Sequence, residues 1–206
     1  RERIRARHGI PGNAVVITAF GKATPEKRIL EALRALSAVK DAVPHTHLLI
    51  AGEVADDYDL QADARALGIE SMLTTAGYVA DEEIDDYLAA SDVCLCLRWP
   101  TSRETSASWL RCLAVGKPTI STDLVHTTDV PTLDPRNWAV LQAGGTGPPV
   151  GVSIDILDED HSLKLAVQRL SVDASLRATL GGNARRLWAE RFRLEQMAEG
   201  YERAIA

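Results

Sequence analysis

The chain has 206 residues, 46% hydrophobic and 25% charged, with a formal net charge of −6. That length suffices for one full-sized core and is short for two, and the composition is ordinary for a soluble globular domain. The acidity argues against a general binder of nucleic acid or of an anionic membrane, since both need a basic surface.

No uninterrupted apolar run approaches the ~20 residues of a membrane span. Residues 1–12 (RERIRARHGIPG) carry positive charge with no apolar segment behind them, so no secretory leader is expected. Three cysteines are too few, and odd in number, for a disulfide framework, which fits the cytoplasm.

Residues 1–8 read as a polar helix end, and 9–12 as the turn after it. The run 14–20 (AVVITAF) is compact and β-branched, the pattern of a strand buried on both faces. A loop, 21–25, leads to an amphipathic helix over 26–40, with Ile29, Leu30, Leu33, Leu36 and Val39 at helical spacing. Pro25 suits its first turn, where no hydrogen bond is lost. The second strand is 47–52 (HLLIAG), and a helix at 58–67 ends at Gly68. The third strand is 72–76, followed by Gly77-Tyr78-Val79, and Asp81 caps a helix to 90. The fourth strand, 93–97, opens into a polar loop and a helix from about Thr105 to Gly116. A fifth strand at 119–121 and a sixth at 137–141 follow.

Strands alternating with helices over short links specify an α/β, doubly wound, mostly parallel sheet of Rossmann-like form. The stretch 142–151 (QAGGTGPPVG) reads as a flexible loop, and 154–156 as a short extended piece. Helices at 159–171, 173–180, 183–191 and 195–205 complete the chain, with Gly181-Gly182 as a break. The expectation is one domain over 1–206, its sheet part about 14–141 and a helical tail about 159–206.

The candidate site lies where strands end. A loop between a buried strand's carboxyl end and a helix's amino end is where parallel α/β sheets bind ligands, and the free N–H groups of that helix attract anions. In GKATPEKR, Gly21 permits close backbone approach, while Lys22 and Lys27 can offset the charge of a diphosphate. Lys27 can equally be a solvated helix residue. Tyr78 and Val79 can line the wall beside a base edge, or can be core residues after a turn glycine. In the loop after the fourth strand, Glu104 can accept from sugar hydroxyls, and Thr105 and Ser106 can donate to phosphate. The Thr101–Glu104 spacing also fits a capping box. Arg98, Arg103 and Arg111 flank this loop, whereas the acids crowd in 53–59, 81–86 and 155–160. Cys94, Cys96 and Cys112 lack the spacing of a metal site. No Walker A, G-x-S-x-G or H-E-x-x-H motif is present.

Taken in order, GKATPEKR, HLLIAGE, GYV before an acidic helix ending in AASDV, and LAVGKPTIST resemble the carboxyl-terminal, nucleotide-sugar-binding domain of GT-B glycosyltransferases, in particular the large retaining family 4. The resemblance covers essentially the whole chain. It implies that Lys22 and Lys27 hold the donor's diphosphate and that Tyr78 and Val79 meet the nucleobase. The family places two glutamates eight residues apart; here Arg103 and Arg111 stand at those positions, with Glu104 one step along as a contact to the donor sugar. The catalytic residues are not assigned. The resemblance further implies a nucleotide-diphosphate sugar as partner, transfer with retention, no cofactor and no metal. It also implies an amino-terminal acceptor domain outside this chain, through which any peripheral membrane contact would come. The two rivals are a degenerate, non-catalytic GT-B module and half of a sugar-nucleotide epimerase. A dinucleotide oxidoreductase is disfavoured, because no G-x-G-x-x-G follows the first strand.

Overall fold

A computed structural model describes residues 1–101, 104–141 and 147–205. Its strands are β1 (Val15–Phe20), β2 (Thr46–Ala51), β3 (Leu73–Gly77), β4 (Val93–Cys96), β5 (Thr119–Thr122), β6 (Thr132–Leu133), β7 (Val140–Leu141) and β8 (Gly151–Ile154). They form one sheet in the order β3-β2-β1-β4-β5-β8-β6-β7, parallel except for the β6–β7 pair. The helices are α1 (Glu2–Arg7), α2 (Ile29–Val39), α3 (Leu60–Ala66), α4 (Ile84–Ala90), α5 (Ala107–Ala114), α6 (Glu159–Val172), α7 (Ala174–Arg191) and α8 (Leu194–Ile205).

β1 shows why its sequence lacks polar alternation. Ile17 and Ala19 pack on one face with Ile29, Leu33 and Leu36 of α2, while Val16 and Phe20 pack on the other with Ile4 of α1 and Leu88 of α4. A central strand covered by helices on both sides must be apolar throughout. On the second face Arg5 is buried, donating to the carbonyls of Ala90 and Ala14 and to Asp92, the last at 2.7 Å.

Five expectations are corrected. The helix expected over 26–40 is a 3₁₀ turn (Pro25–Lys27) and then α2, separated by Arg28 in the left-handed region at φ 55°. The extended piece expected at 154–156 lies earlier, as β8, a parallel strand between β5 and β6, and Ile156–Asp158 form a 3₁₀ turn, so the sheet runs past 141 to Ile154. The buried Ser153 interrupts its apolar pattern, but Ser153 Oγ meets Ser121 Oγ at 3.1 Å. The sixth strand is shorter than expected and pairs with β6, a strand that Pro131 and Asp134 hide at either end. Gly181-Gly182 do not break the tail: α7 runs through them. A Cβ on Gly181 would lie 2.2 Å from the Gly116 carbonyl oxygen, so glycine is needed there for α7 to pack on the end of α5. Of the loop expected over 142–151, residues 142–146 lie outside the described residues, and Gly151 already belongs to β8.

Candidate functional site

The carboxyl ends of β1, β2 and β4 and the start of α5 frame two adjoining hollows, of about 430 and 460 Å³. Phe20, Ala107 and Ser108 are walls of both. Lys27, Glu104, Thr105 and Ser106 line the first; Gly21, Lys22, Tyr78, Val79 and Arg111 line the second. All nine nominated residues therefore border one divided cleft, although they come from four separate segments. Arg103 lies outside the described residues.

The loop after β1 is built by its neighbour. Gly21 turns at φ +77°, its N–H donates to the Ala51 carbonyl at 2.9 Å, and a Cβ on Gly52 would sit 2.3 Å from the Gly21 carbonyl oxygen. Ala23 then bridges to Val54. Lys22 is left exposed on the second hollow. Lys27 folds back instead: its Nζ donates to the Phe20 carbonyl at 2.5 Å. Burial first, and Arg98 second, lower its pKa, so the ammonium is a partly desolvated cation at the wall of the first hollow.

The helix facing these lysines starts later than its sequence suggests. The residue before its first turn is Ser106, whose side chain accepts from the Trp109 N–H at 3.3 Å, so the cap is neither Thr101 nor a start at Thr105. Serine is a favoured N-cap, and the N–H groups of Ala107 and Ser108, unpaired among the described residues, face the walls shared by the two hollows. Glu104 forms an ion pair with Arg98 at 2.7 Å. Arg111 reaches Asp81 at 3.3 Å across the second hollow. Tyr78 is 76% exposed, which removes the core alternative for that residue and leaves its ring available to a ligand. Val79 stays half-buried, packed against the α1–α4 side of the core.

Sequence reasoning missed Gly52, Asp81 and Trp109. HLLIAGE did end in the Gly52-Glu53 pair, but nothing local says that two loops must touch there. Trp109 is buried in α5, yet its ring, T-shaped on Phe192 at 5.7 Å, lines the first hollow. Cys94 and Cys112 are buried in the core, and Cys96 borders the first hollow. Among the described residues no group of three or more His, Cys, Asp or Glu side chains is arranged to hold a metal ion.

Residues 1–130 match the family described as glycosyl transferases group 1. The chain belongs to that family. As a group 1 transferase domain it is 29% identical over 131 residues to the mannosylfructose-phosphate synthase of Agrobacterium fabrum, a match covering 59% of this chain and 28% of that protein. Its fold is that of a GT-B carboxyl-terminal domain. It superposes on the C-terminal domain of the group 1 protein LpcC from Francisella tularensis with a TM-score of 0.65, at 18% identity, covering 90% of this chain and 89% of the other. Against Anabaena HepE, solved in complex with UDP, the TM-score is 0.75 at 20% identity, covering 98% of this chain and 52% of HepE. The group 1 domain thus spans about half of HepE and less than a third of the synthase. None of its described helices is long and apolar enough to cross a membrane.

Proposed function

We propose that this chain is the donor-binding half of a retaining, family 4 type glycosyltransferase that moves a sugar from a nucleotide-diphosphate sugar to an acceptor. The observation that carries the reading is the divided cleft: Lys22, Lys27 and the opening turn of α5 converge on walls shared at Phe20, Ala107 and Ser108. A diphosphate there meets two ammonium groups and free N–H donors, and the leaving charge that develops on it during transfer is stabilised without a metal. The nucleoside lies over the second hollow, against Tyr78, Val79 and the Arg111–Asp81 pair. The sugar enters the first hollow by Glu104, Thr105 and the cap residue Ser106. That HepE was solved with UDP, and in another structure with UDP-glucose, supports the nucleotide class.

Acceptor binding and the remaining catalytic groups are assigned to an amino-terminal half outside this chain. The exposed Leu194, Tyr201 and Ile205 of α8 are apolar surface that such a half can cover. By itself the domain is expected to bind donor without turnover.

Calorimetry on the full-length protein with UDP, GDP, ADP and their sugar conjugates tests this. One nucleotide series is expected to bind, unaffected by a chelator. Joint replacement of Lys22 and Lys27 by alanine is expected to weaken it at least about tenfold, the scale of one lost charge-assisted hydrogen bond. Absence of binding to every series overturns the reading.

The Arg111–Asp81 pair favours a second reading, a degenerate module kept for assembly, because it sets an ion pair where the resemblance expects a glutamate. Transfer activity that survives the double lysine replacement supports the module.

A further inference from the structure

The turn that carries Lys27 is held from outside its own helix. Between the 3₁₀ turn and α2, Arg28 adopts φ 55° and ψ 36°, a left-handed conformation that residues other than glycine seldom take. A forked ion pair holds it. Arg28 Nε donates to Glu159 Oε1 at 2.9 Å and Nη2 donates to Oε2 of the same carboxylate, while Glu31 lies 3.2 Å from Nη2. Such a two-pronged contact fixes direction as well as charge. Glu159 is itself buried in the first turn of α6, where the helix dipole favours a carboxylate. On the other side of the turn, the Trp99 N–H donates to the Glu26 carbonyl at 2.8 Å. Were residue 28 helical, 26–40 would form the continuous helix its pattern suggests, and Lys27 would project along the face of α2. The left-handed residue instead lets Lys27 turn back to the Phe20 carbonyl.

We propose that Arg28 and Glu159 are positioning residues, whose ion pair keeps residue 28 left-handed and so aims the Lys27 ammonium into the first hollow. The proposal rests on the reading of Lys27 as a diphosphate ligand.

Two readouts on the full-length protein test it. One is affinity for UDP by calorimetry. The other is the rate of Lys27 acylation by acetic anhydride, followed by peptide mass spectrometry, which needs no ligand. Arg28→Ala and Glu159→Ala are expected to weaken UDP binding about tenfold and to speed acylation several-fold, as the amine leaves the Phe20 carbonyl. In a Lys27→Ala background, Glu159→Ala is expected to shift affinity less than about twofold, because members of one contact chain are not additive. Arg28→Gly removes the same charge but adopts the left-handed conformation freely, so both readouts are expected to stay within about twofold of the parent. Thermal melts establish that each variant is folded.

Arg28→Gly behaving like Arg28→Ala would overturn the proposal, since charge rather than conformation would then matter. So would folded alanine variants with both readouts unchanged. Failure of the parent to bind UDP counts against the functional reading alone, and the acylation pattern still decides the positioning claim.

Discussion

Gly52 lines the second hollow, Gly77 is bridged to it just before Tyr78, and the two answer to different physics. At Gly52 an added methyl would meet the Gly21 carbonyl oxygen at 2.3 Å, a contact with backbone that no side-chain rotation relieves. The atoms displaced are those that carry Lys22. Gly52→Ala is expected to destabilise the fold by about 2 kcal/mol, as overpacked cores do, and to weaken nucleotide binding at least about tenfold. At Gly77 the backbone has φ +72°, but nothing lies within 4 Å of where a methyl would stand, so Gly77→Ala adds strain alone. Its expected stability loss is smaller, about 1 kcal/mol. Urea unfolding of both variants, with calorimetry on the first, checks the pair; a Gly52→Ala protein as stable as its parent would refute the close-approach account.

At the scale of elements, the two adjacent glycines of α7 make opposite predictions. A Cβ on Gly181 would strike the Gly116 carbonyl at 2.2 Å, whereas around Gly182 nothing lies within 4 Å. Gly181→Ala is expected to cost about 2 kcal/mol or more by forcing α7 off the end of α5. Gly182→Ala is expected to stabilise by about 0.5–1 kcal/mol, the ordinary gain of alanine over glycine inside a helix. Thermal unfolding decides both, and a common sign for the two would sink the argument. These glycines also show what local pattern conveys. A Gly-Gly pair reads as a break, because the partner backbone that makes one of them necessary lies 65 residues away in the chain, in the turn closing α5. The late start of α5 has a local origin instead. Thr101 and Glu104 have capping-box spacing, but Glu104 is drawn into a pair with Arg98, and Ser106 caps the helix.

For the molecule as a whole, His47 is one group through which pH acts. It is buried on β2, its Nε2 lies 2.8 Å from Thr74 Oγ1, and burial, with Arg5 second, lowers its pKa from 6.5 to about 4. The unfolded chain therefore binds this proton more readily than the fold does. Its contribution is fully present above the unfolded pKa and is lost as pH falls from about 6.5 toward 4, a span worth on the order of 3 kcal/mol. The urea midpoint is expected to drop over that window, and His47→Gln, which keeps a polar partner for Thr74, is expected to flatten the dependence. An unchanged slope in the variant would count against His47 as the titrating group. The wide sheet also explains why distant segments meet at the cleft: β1 and β4 are neighbours, so loops far apart in sequence share one rim.

From sequence alone the α/β class, the parallel strands up to β5 and most of the helices between them were legible, and the nine residues nominated at strand ends all border the cleft. Each rests on short-range signals: apolar runs that only a sheet covered on both faces requires, helical spacing, and loop residues at strand ends. Tertiary structure alone decided the left-handed break at Arg28, the place of β8 inside the sheet, the need for glycine at 52 and 181, and the division of the site into two hollows. Each of those depends on an atom contributed by a distant segment, whether the Glu159 carboxylate, the edge of β5, or the carbonyls of Gly21 and Gly116. Local pattern carries no record of such partners until the chain has packed.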